Sequence, residues 1–367
     1  MIYYIQYYIT SFNKIMFEKH NIYHYLFAFS LIMIVNYVGT KYKQTFTEDN
    51  SELELIRKYL LNDASVSTGS PLIGFHKPKI WIHTKYEINA RKWKDFMSRN
   101  TNNLNQPYIH LTIQSIIDHC GDDFHICLID DSSFSKLISS WDVELSILPE
   151  PIQSYFRELA MMMLLYIYGG MIVPDSFLCT KNMKSFYENG MTGNRPFVCE
   201  SINRTVNIAN KTRNLFIADT KIMGSVKNNA VILEFVQYLK NKNNKLDFTS
   251  ERQFLGDSSQ WLIQKINAQK INLIGGEQIG IKNIQRKQIL IDDLFEDTFL
   301  DLDQSCIGIY IPEDELLVRR KYQWFVYLNK NEIEHTNVAI VKYIKSSKVD
   351  ASGIYNKNTT IPSDTYL

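Results

Sequence analysis

The chain has 367 residues, of which 45% are apolar, 13% aromatic and 22% charged. That composition belongs to a globular protein and excludes wholesale disorder, collagen-like repetition and a coiled-coil rod. Forty basic against 39 acidic residues leave a formal charge of +1, too balanced for a protein that binds nucleic acid by neutralising phosphates, so no nucleic-acid partner is expected. The five cysteines (Cys120, Cys127, Cys179, Cys199 and Cys306) are odd in number and show no C-x-x-C spacing. They predict single buried thiols, not a zinc or redox site.

Residues 1–21 form a tail whose first twelve positions, MIYYIQYYITSF, are tyrosine-rich and uncharged. A contact at headgroup level and a disordered tail both fit that stretch. Residues 22–38, IYHYLFAFSLIMIVNYV, carry no Lys, Arg, Asp or Glu, and the uncharged run extends to Thr40. At ~1.5 Å per residue, about 20 helical residues cross the hydrocarbon layer. Tyr23, Tyr25 and Tyr37 suit interfacial anchoring. A cleaved signal would need a small-x-small site, which Val38-Gly39-Thr40 does not supply, and an in-plane helix would show a charged face. Residues 22–40 therefore predict an uncleaved single-pass membrane anchor. Lys14 and Lys19 before it balance Lys41 and Lys43 after it, so charge leaves the orientation open. The expectation is a type II arrangement with the globular part luminal or external. The N-x-S/T triplets at Asn203, Asn210 and Asn358 agree with that side. Residues 41–75 read as a stem, with a short helical pattern at 51–61 and a Ser/Gly/Pro loop at 62–74.

The globular domain is expected over residues 76–328. Strand patterns at 79–84 (KIWIHT), 124–131 (FHICLIDD), 171–174 (MIVP) and 197–201 alternate with helical patterns at 109–119, 154–168, 230–240 and 258–266. This alternation predicts an α/β fold with a mainly parallel sheet flanked by helices. Residues 329–345 predict one last helix, and 346–367 a polar tail.

In an open α/β sheet, ligands bind beyond the carboxyl ends of the strands. That rule selects His83-Thr84, Asp130-Asp131 and Asp175-Ser176, which converge on one edge if their strands are parallel neighbours. The segment leading to Asp175 is QSYFRELAMMMLLYIYGGMIVPDSFLC, residues 153–179. Arg157 and Glu158 are its last charges before a helix that is apolar on every face and so buried on several sides. Gly169-Gly170 ends that helix, and Pro174 marks the end of the following strand.

Arg157, the hydrophobic helix that follows it, and Y-G-G-x-x-x-x-D from Tyr168-Gly169-Gly170 to Asp175 together resemble the core of the capsular-polysaccharide and mannosyl-transfer glycosyltransferases, which adopt the GT-A nucleotide-sugar fold. Residues 78–83, PKIWIH, are similar to that family's first strand, and 108–131 to its helix and second strand. The resemblance covers residues 76 to about 185. Blocks 254–262 and 309–325 look like glycosyltransferase-like proteins of large DNA viruses, in keeping with the Ile/Lys/Asn/Tyr bias of the chain. The resemblance implies a divalent cation, Mn²⁺ or Mg²⁺, holding the diphosphate of a nucleotide sugar, with transfer that retains anomeric configuration. It assigns the metal to Asp175, and leaving-group stabilisation and a diphosphate or nucleotide contact to Asp175 and Arg157, while the strand-end rule offers His83, Asp130 and Asp131 as further nucleotide contacts.

The chain departs from that family at two places. The aspartate of S-D-x-x-R falls on Ser154, and D-x-D falls on Pro174, Asp175 and Ser176. Cation binding then needs help from another acid, with Asp130, Asp131 and Asp257 as candidates. The residues also have plainer readings: Asp175 as a strand-end cap, Arg157 paired with Glu158, Asp130-Asp131 as a solvated loop pair, His83 as a polar strand end, and Trp81 and Trp261 as core. Two functions are expected on this basis. One is a membrane-anchored hexosyltransferase acting on a glycan or protein acceptor. The alternative is an inactive glycosyltransferase-like module with a glycan-binding or structural role.

Overall fold

The computed structural model describes residues 77–84, 92–94, 97–99, 106–150, 152–200, 217–245 and 251–348. The expected membrane anchor, the stem and all three N-x-S/T triplets lie outside these residues. Among the described residues no helix is long and apolar enough to cross a membrane.

In chain order the elements are β1 (Lys79–His83), β2 (Lys92–Lys94), β3 (Met97–Arg99), α1 (Tyr108–Cys120), β4 (His125–Ile129), α2 (Phe134–Leu137), α3 (Ile152–Tyr168), β5 (Gly170–Ile172), β6 (Phe177–Cys179), α4 (Lys184–Gly190), β7 (Phe197–Glu200) and β8 (Ala218–Ser225). There follow α5 (Ala230–Lys245), α6 (Glu251–Asn267), β9 (Asn272–Ile274), α7 (Ile291–Leu294), β10 (Gly308–Tyr310), α8 (Glu313–Val318), α9 (Gln323–Val326), α10 (Lys330–Glu334) and α11 (Ala339–Ser346). Six strands form the central sheet in the order β4-β1-β5-β8-β7-β9. The pairs β1–β4, β1–β5 and β7–β9 are parallel. Strand β8 runs antiparallel to both of its neighbours, so the sheet is mixed, with its parallel part where the candidate residues lie.

Alternation of side chains divides the core into two layers. Ile80, Ile82, Ile126, Leu128, Met171 and Phe197 face the layer that holds α1 and the C-terminal helices. Trp81, Cys127, Ile129, Ile172 and Val198 face α3 and α5 on the other side. Leu159 to Leu165 are buried without a break, which matches the all-round apolar character of that helix. All five cysteines are buried and free. Trp81 is core, and Trp261 stacks on Phe235 with ring centroids 4.6 Å apart.

The double glycine sets the path from α3 into the sheet. Gly169 and Gly170 have φ of 69° and 102°, backbone that side-chain-bearing residues rarely adopt. The Gly169 carbonyl accepts from the Trp81 indole at 2.9 Å, tying the turn to β1. A Cβ on Gly170 would lie 2.3 Å from the Lys79 carbonyl oxygen. The chain can pass there only without a side chain.

The C-terminal region differs from expectation. The single helix expected over 329–345 is two helices, α10 and α11. Asn329 caps α10 through a reciprocal bond set with Glu332. The chain then breaks, and Ala339 N donates to the Glu296 carbonyl at 2.7 Å, which starts α11 on a new course.

Gly170→Ala is expected to cost about 2–5 kcal/mol, from strain at positive φ plus overpacking against β1. Gly193→Ala, also at positive φ but with its nearest neighbour 3.6 Å from the added carbon, is expected to cost only about 1–2 kcal/mol. Urea unfolding of the two variants measures the difference.

Candidate active site

Parallel pairing of β1 with β4 and β5 brings the carboxyl ends of all three strands to one rim, so His83, Asp131 and Asp175 do converge. They form two adjoining clusters.

The first is an ion-pair network. Arg157, in the first half of α3, donates from Nε to Asp131 Oδ1 at 2.8 Å and from Nη2 to Oδ2 at 2.7 Å. His83 Nε2 lies 2.7 Å from the same Oδ1, and its ring stacks on Phe134 with centroids 5.6 Å apart. Burial pushes the Asp131 carboxyl up, but the bonds from Arg157 and His83 together outweigh it and hold the group well below the usual carboxylate range. The forked geometry explains why an arginine is used here and why it does not pair with Glu158. Its Nη1 lies 3.6 Å from Glu150 Oε1. Glu150 also accepts from the Ser154 hydroxyl at 2.5 Å, so a carboxylate reaches the position where the family pattern places its aspartate. Asp130 is occupied locally. Its carboxylate caps the turn that follows β4, accepting from Ser133 N at 2.9 Å and from the Ser133 and Ser132 hydroxyls.

The second cluster centres on Asp175, which is 7% exposed. Strand β6 leads away from it and pairs antiparallel with β10, Tyr310 opposite Phe177. Ile311 N continues that pairing onto the Ser176 carbonyl at 3.2 Å. The chain is thereby led back to the rim, where Pro312 turns into α8 and half-buried Glu313 meets Asp175. Burial pushes the Asp175 carboxyl well up, the Glu313 carboxylate adds to it, and a hydrogen bond from Thr84 opposes. Two carboxyl groups this close disfavour each other's charged forms. Lys221, in the first half of β8, donates to the Tyr310 hydroxyl at 2.8 Å. Burial pushes the Tyr310 phenol up to about 12. Glu313, Tyr310 and Lys221 were not singled out in the sequence. The signals for Glu313 are its place in the 309–325 block noted above and the I-P-E-D string at 311–314 directly after an apolar run.

Glu158 reaches the rim further along, toward β8, where it accepts from Thr220 Oγ1 at 2.9 Å. Burial raises the half-buried Glu158 carboxyl to about 7, opposed by the Thr220 bond and assisted by nearby Asp219.

Whether a divalent cation suits this rim is decided by its donors. Among the described residues no three His, Cys, Asp or Glu side chains are grouped to hold a metal. Mg²⁺ typically takes only one or two carboxylates, with phosphate and water completing the shell. Asp175 and Glu313 meet that requirement with hard oxygens, and a dication would offset the charge of both. The Ser176 hydroxyl beside them is buried without a hydrogen-bond partner. The donor set fits. The side chain of Asp257 lies outside what is described.

No protein-family model matches the chain, and no curated protein matches it. Three of the solved structures that match are glycosyltransferases. The glycosyltransferase GlyE of Streptococcus pneumoniae TIGR4 aligns at 11% identity and TM-score 0.36, over 75% of this chain and 61% of GlyE. Its apo form aligns at 11% identity and TM-score 0.34 over the same shares. PaToxG Glycosyltransferase aligns at 13% identity and TM-score 0.28, over 61% of this chain and 81% of PaToxG. The chain thus spans 61% of the length of the GlyE structures it matches.

Two outcomes follow from the ionised groups. Asp131 has a depressed pKa, so its pairing contributes stability above the ordinary carboxylate range and loses it as pH falls through the folded value. Arg157→Ala is expected to cost about 3 kcal/mol at pH 7 by leaving a carboxylate without its main partner. Unfolding by urea should find a much smaller cost at pH values low enough to protonate Asp131. For Glu158 the sign reverses: its raised pKa means that stability falls as pH rises from 4.5 to about 7. Glu158→Gln should remove that slope, and thermal melts across the window read it.

Proposed function

We propose that the protein is a membrane-anchored glycosyltransferase of the GT-A type, moving a hexose from a nucleotide sugar to a glycan or protein acceptor. The observation that carries the reading is the return of Glu313, by way of the β6–β10 ribbon, to buried Asp175 at the carboxyl rim of the parallel strands. Two acids are brought together there, and each disfavours the charged form of the other. Among ligands of an α/β sheet, a cation-bound diphosphate is the chemistry that relieves such a pair.

In this reading Asp175 and Glu313 hold the divalent cation, Mn²⁺ or Mg²⁺, with Asp175 the acid that the family resemblance also selects. The cation, when bound, supplies positive charge against the charge that develops on the departing diphosphate. Lys221, bonded to the Tyr310 hydroxyl, offers a second positive charge. Arg157 takes a less direct part than the resemblance implies. Its Nε and Nη2 are committed to Asp131, so it holds the Asp131–His83 wall of the cleft in place, and only Nη1 faces toward Glu150. His83 and Asp131 then present a fixed, partly exposed surface for the nucleotide. Residues 22–40 anchor the chain in the membrane, with the globular domain luminal or external.

Pro174 favours a second reading. It removes the first acid of the family motif, as expected of a module that binds glycan without turnover.

A panel of radiolabelled nucleotide sugars with MnCl₂ and mixed glycan acceptors separates the two. The enzyme predicts Mn²⁺-dependent transfer of label, reduced about 100-fold or more by Asp175→Ala. No transfer from any donor, together with glycan binding that ignores Mn²⁺, would establish the module.

A further inference from the structure

The rim contains two hydroxyls that the reading above does not use. Helix α1 turns one face toward the Asp175 segment, with Thr112 Oγ1 donating to the Asp175 carbonyl at 2.5 Å. Tyr108 lies one turn earlier on the same face. It is completely buried, and its ring packs on Phe325 with centroids 5.4 Å apart. Its hydroxyl has no hydrogen-bond partner, although Glu313, Asp175, Tyr310 and Asp314 surround it closely enough to act on its charge. Ser176, next in the chain to Asp175, is likewise completely buried with its hydroxyl unpartnered. Buried hydroxyls are normally satisfied, because leaving one without a partner forfeits its hydration for nothing in return. Two such hydroxyls, one on the residue after Asp175 and one on the helix face that Thr112 fixes against it, leave donors available to a polar occupant.

We propose that the hydroxyls of Tyr108 and Ser176 complete the oxygen set of the Asp175–Glu313 pair, forming a cation cage that makes up for the acid missing at Pro174. The proposal rests on the reading of that pair as a cation site. Ser176 Oγ brings a neutral hard oxygen to the metal. The Tyr108 O–H donates to a water or phosphate oxygen in the metal's shell, which its anionic surroundings orient. No proton or electron is transferred in this step, and only the occupant's contacts change.

The test titrates the full-length chain with MnCl₂ alone, following free Mn²⁺ by electron paramagnetic resonance, and melts each variant without metal. The wild type is expected to bind one Mn²⁺ and Asp175→Asn to bind none. Tyr108→Phe and Ser176→Ala should each weaken binding about tenfold, the scale of one hydrogen bond to a charged centre. Tyr108→Phe without metal should melt no lower than the wild type, since it deletes an unsatisfied group and keeps the ring. Wild-type affinity in both hydroxyl variants, with loss only in Asp175→Asn, overturns the cage and leaves the cation site standing. An apo melting point clearly lowered by Tyr108→Phe also overturns it, because the hydroxyl would then have a structural partner. No Mn²⁺ binding by the wild type overturns the cage and the cation reading together.

Discussion

Two carboxyl groups held against each other repel unless a proton or a cation lies between them, and the rim of this protein is arranged around such a pair. Asp175 is fixed at the end of β5 and Glu313 at the start of α8, positions 138 residues apart by the difference of their numbers. Their meeting depends on a two-stranded ribbon, β6 with β10, that carries the later segment back to the sheet. Burial alone would keep a single acid neutral. A second acid beside it pushes that carboxyl further in the same direction.

The surrounding fold keeps that arrangement rigid. The buried helix α3 and its double-glycine exit fix where β5 begins, and the Trp81 indole holds the exit against β1. On one side, α1 presents Thr112 to the backbone of Asp175. On the other, the same α3 that leads into β5 sends Arg157 toward β4 and Glu158 toward β8. The forked Arg157–Asp131 pair thus serves as a brace between the helix layer and the rim, where a lone lysine could not hold two oxygens at once.

Much of this was legible in the sequence because it depends on local rules. The alternation of strands and helices, the burial of 159–165, the glycine turn and the convergence of His83, Asp131 and Asp175 each follow from short-range patterns. The antiparallel insertion of β8 was not legible, since strand patterns carry no direction. Glu313 was missed for a related reason. Its role comes from the return path of a ribbon, and an acid after I-P looks like any helix N-terminus. Tyr108 was hidden inside an amphipathic pattern, where a tyrosine reads as core. Its ring is indeed core, and only its hydroxyl departs from that pattern. The split of the last helix reflects a tertiary bond from Ala339 to Glu296 that no local pattern encodes. The membrane anchor stays an expectation of the sequence, as residues 22–40 fall outside the described part of the chain.

The most direct measurement is anomalous X-ray scattering from crystals of the protein grown with MnCl₂ and a nucleoside diphosphate. The account predicts one manganese peak in direct contact with the carboxylate oxygens of Asp175 and Glu313, with the diphosphate on its open side. No manganese peak between Asp175 and Glu313 would contradict it.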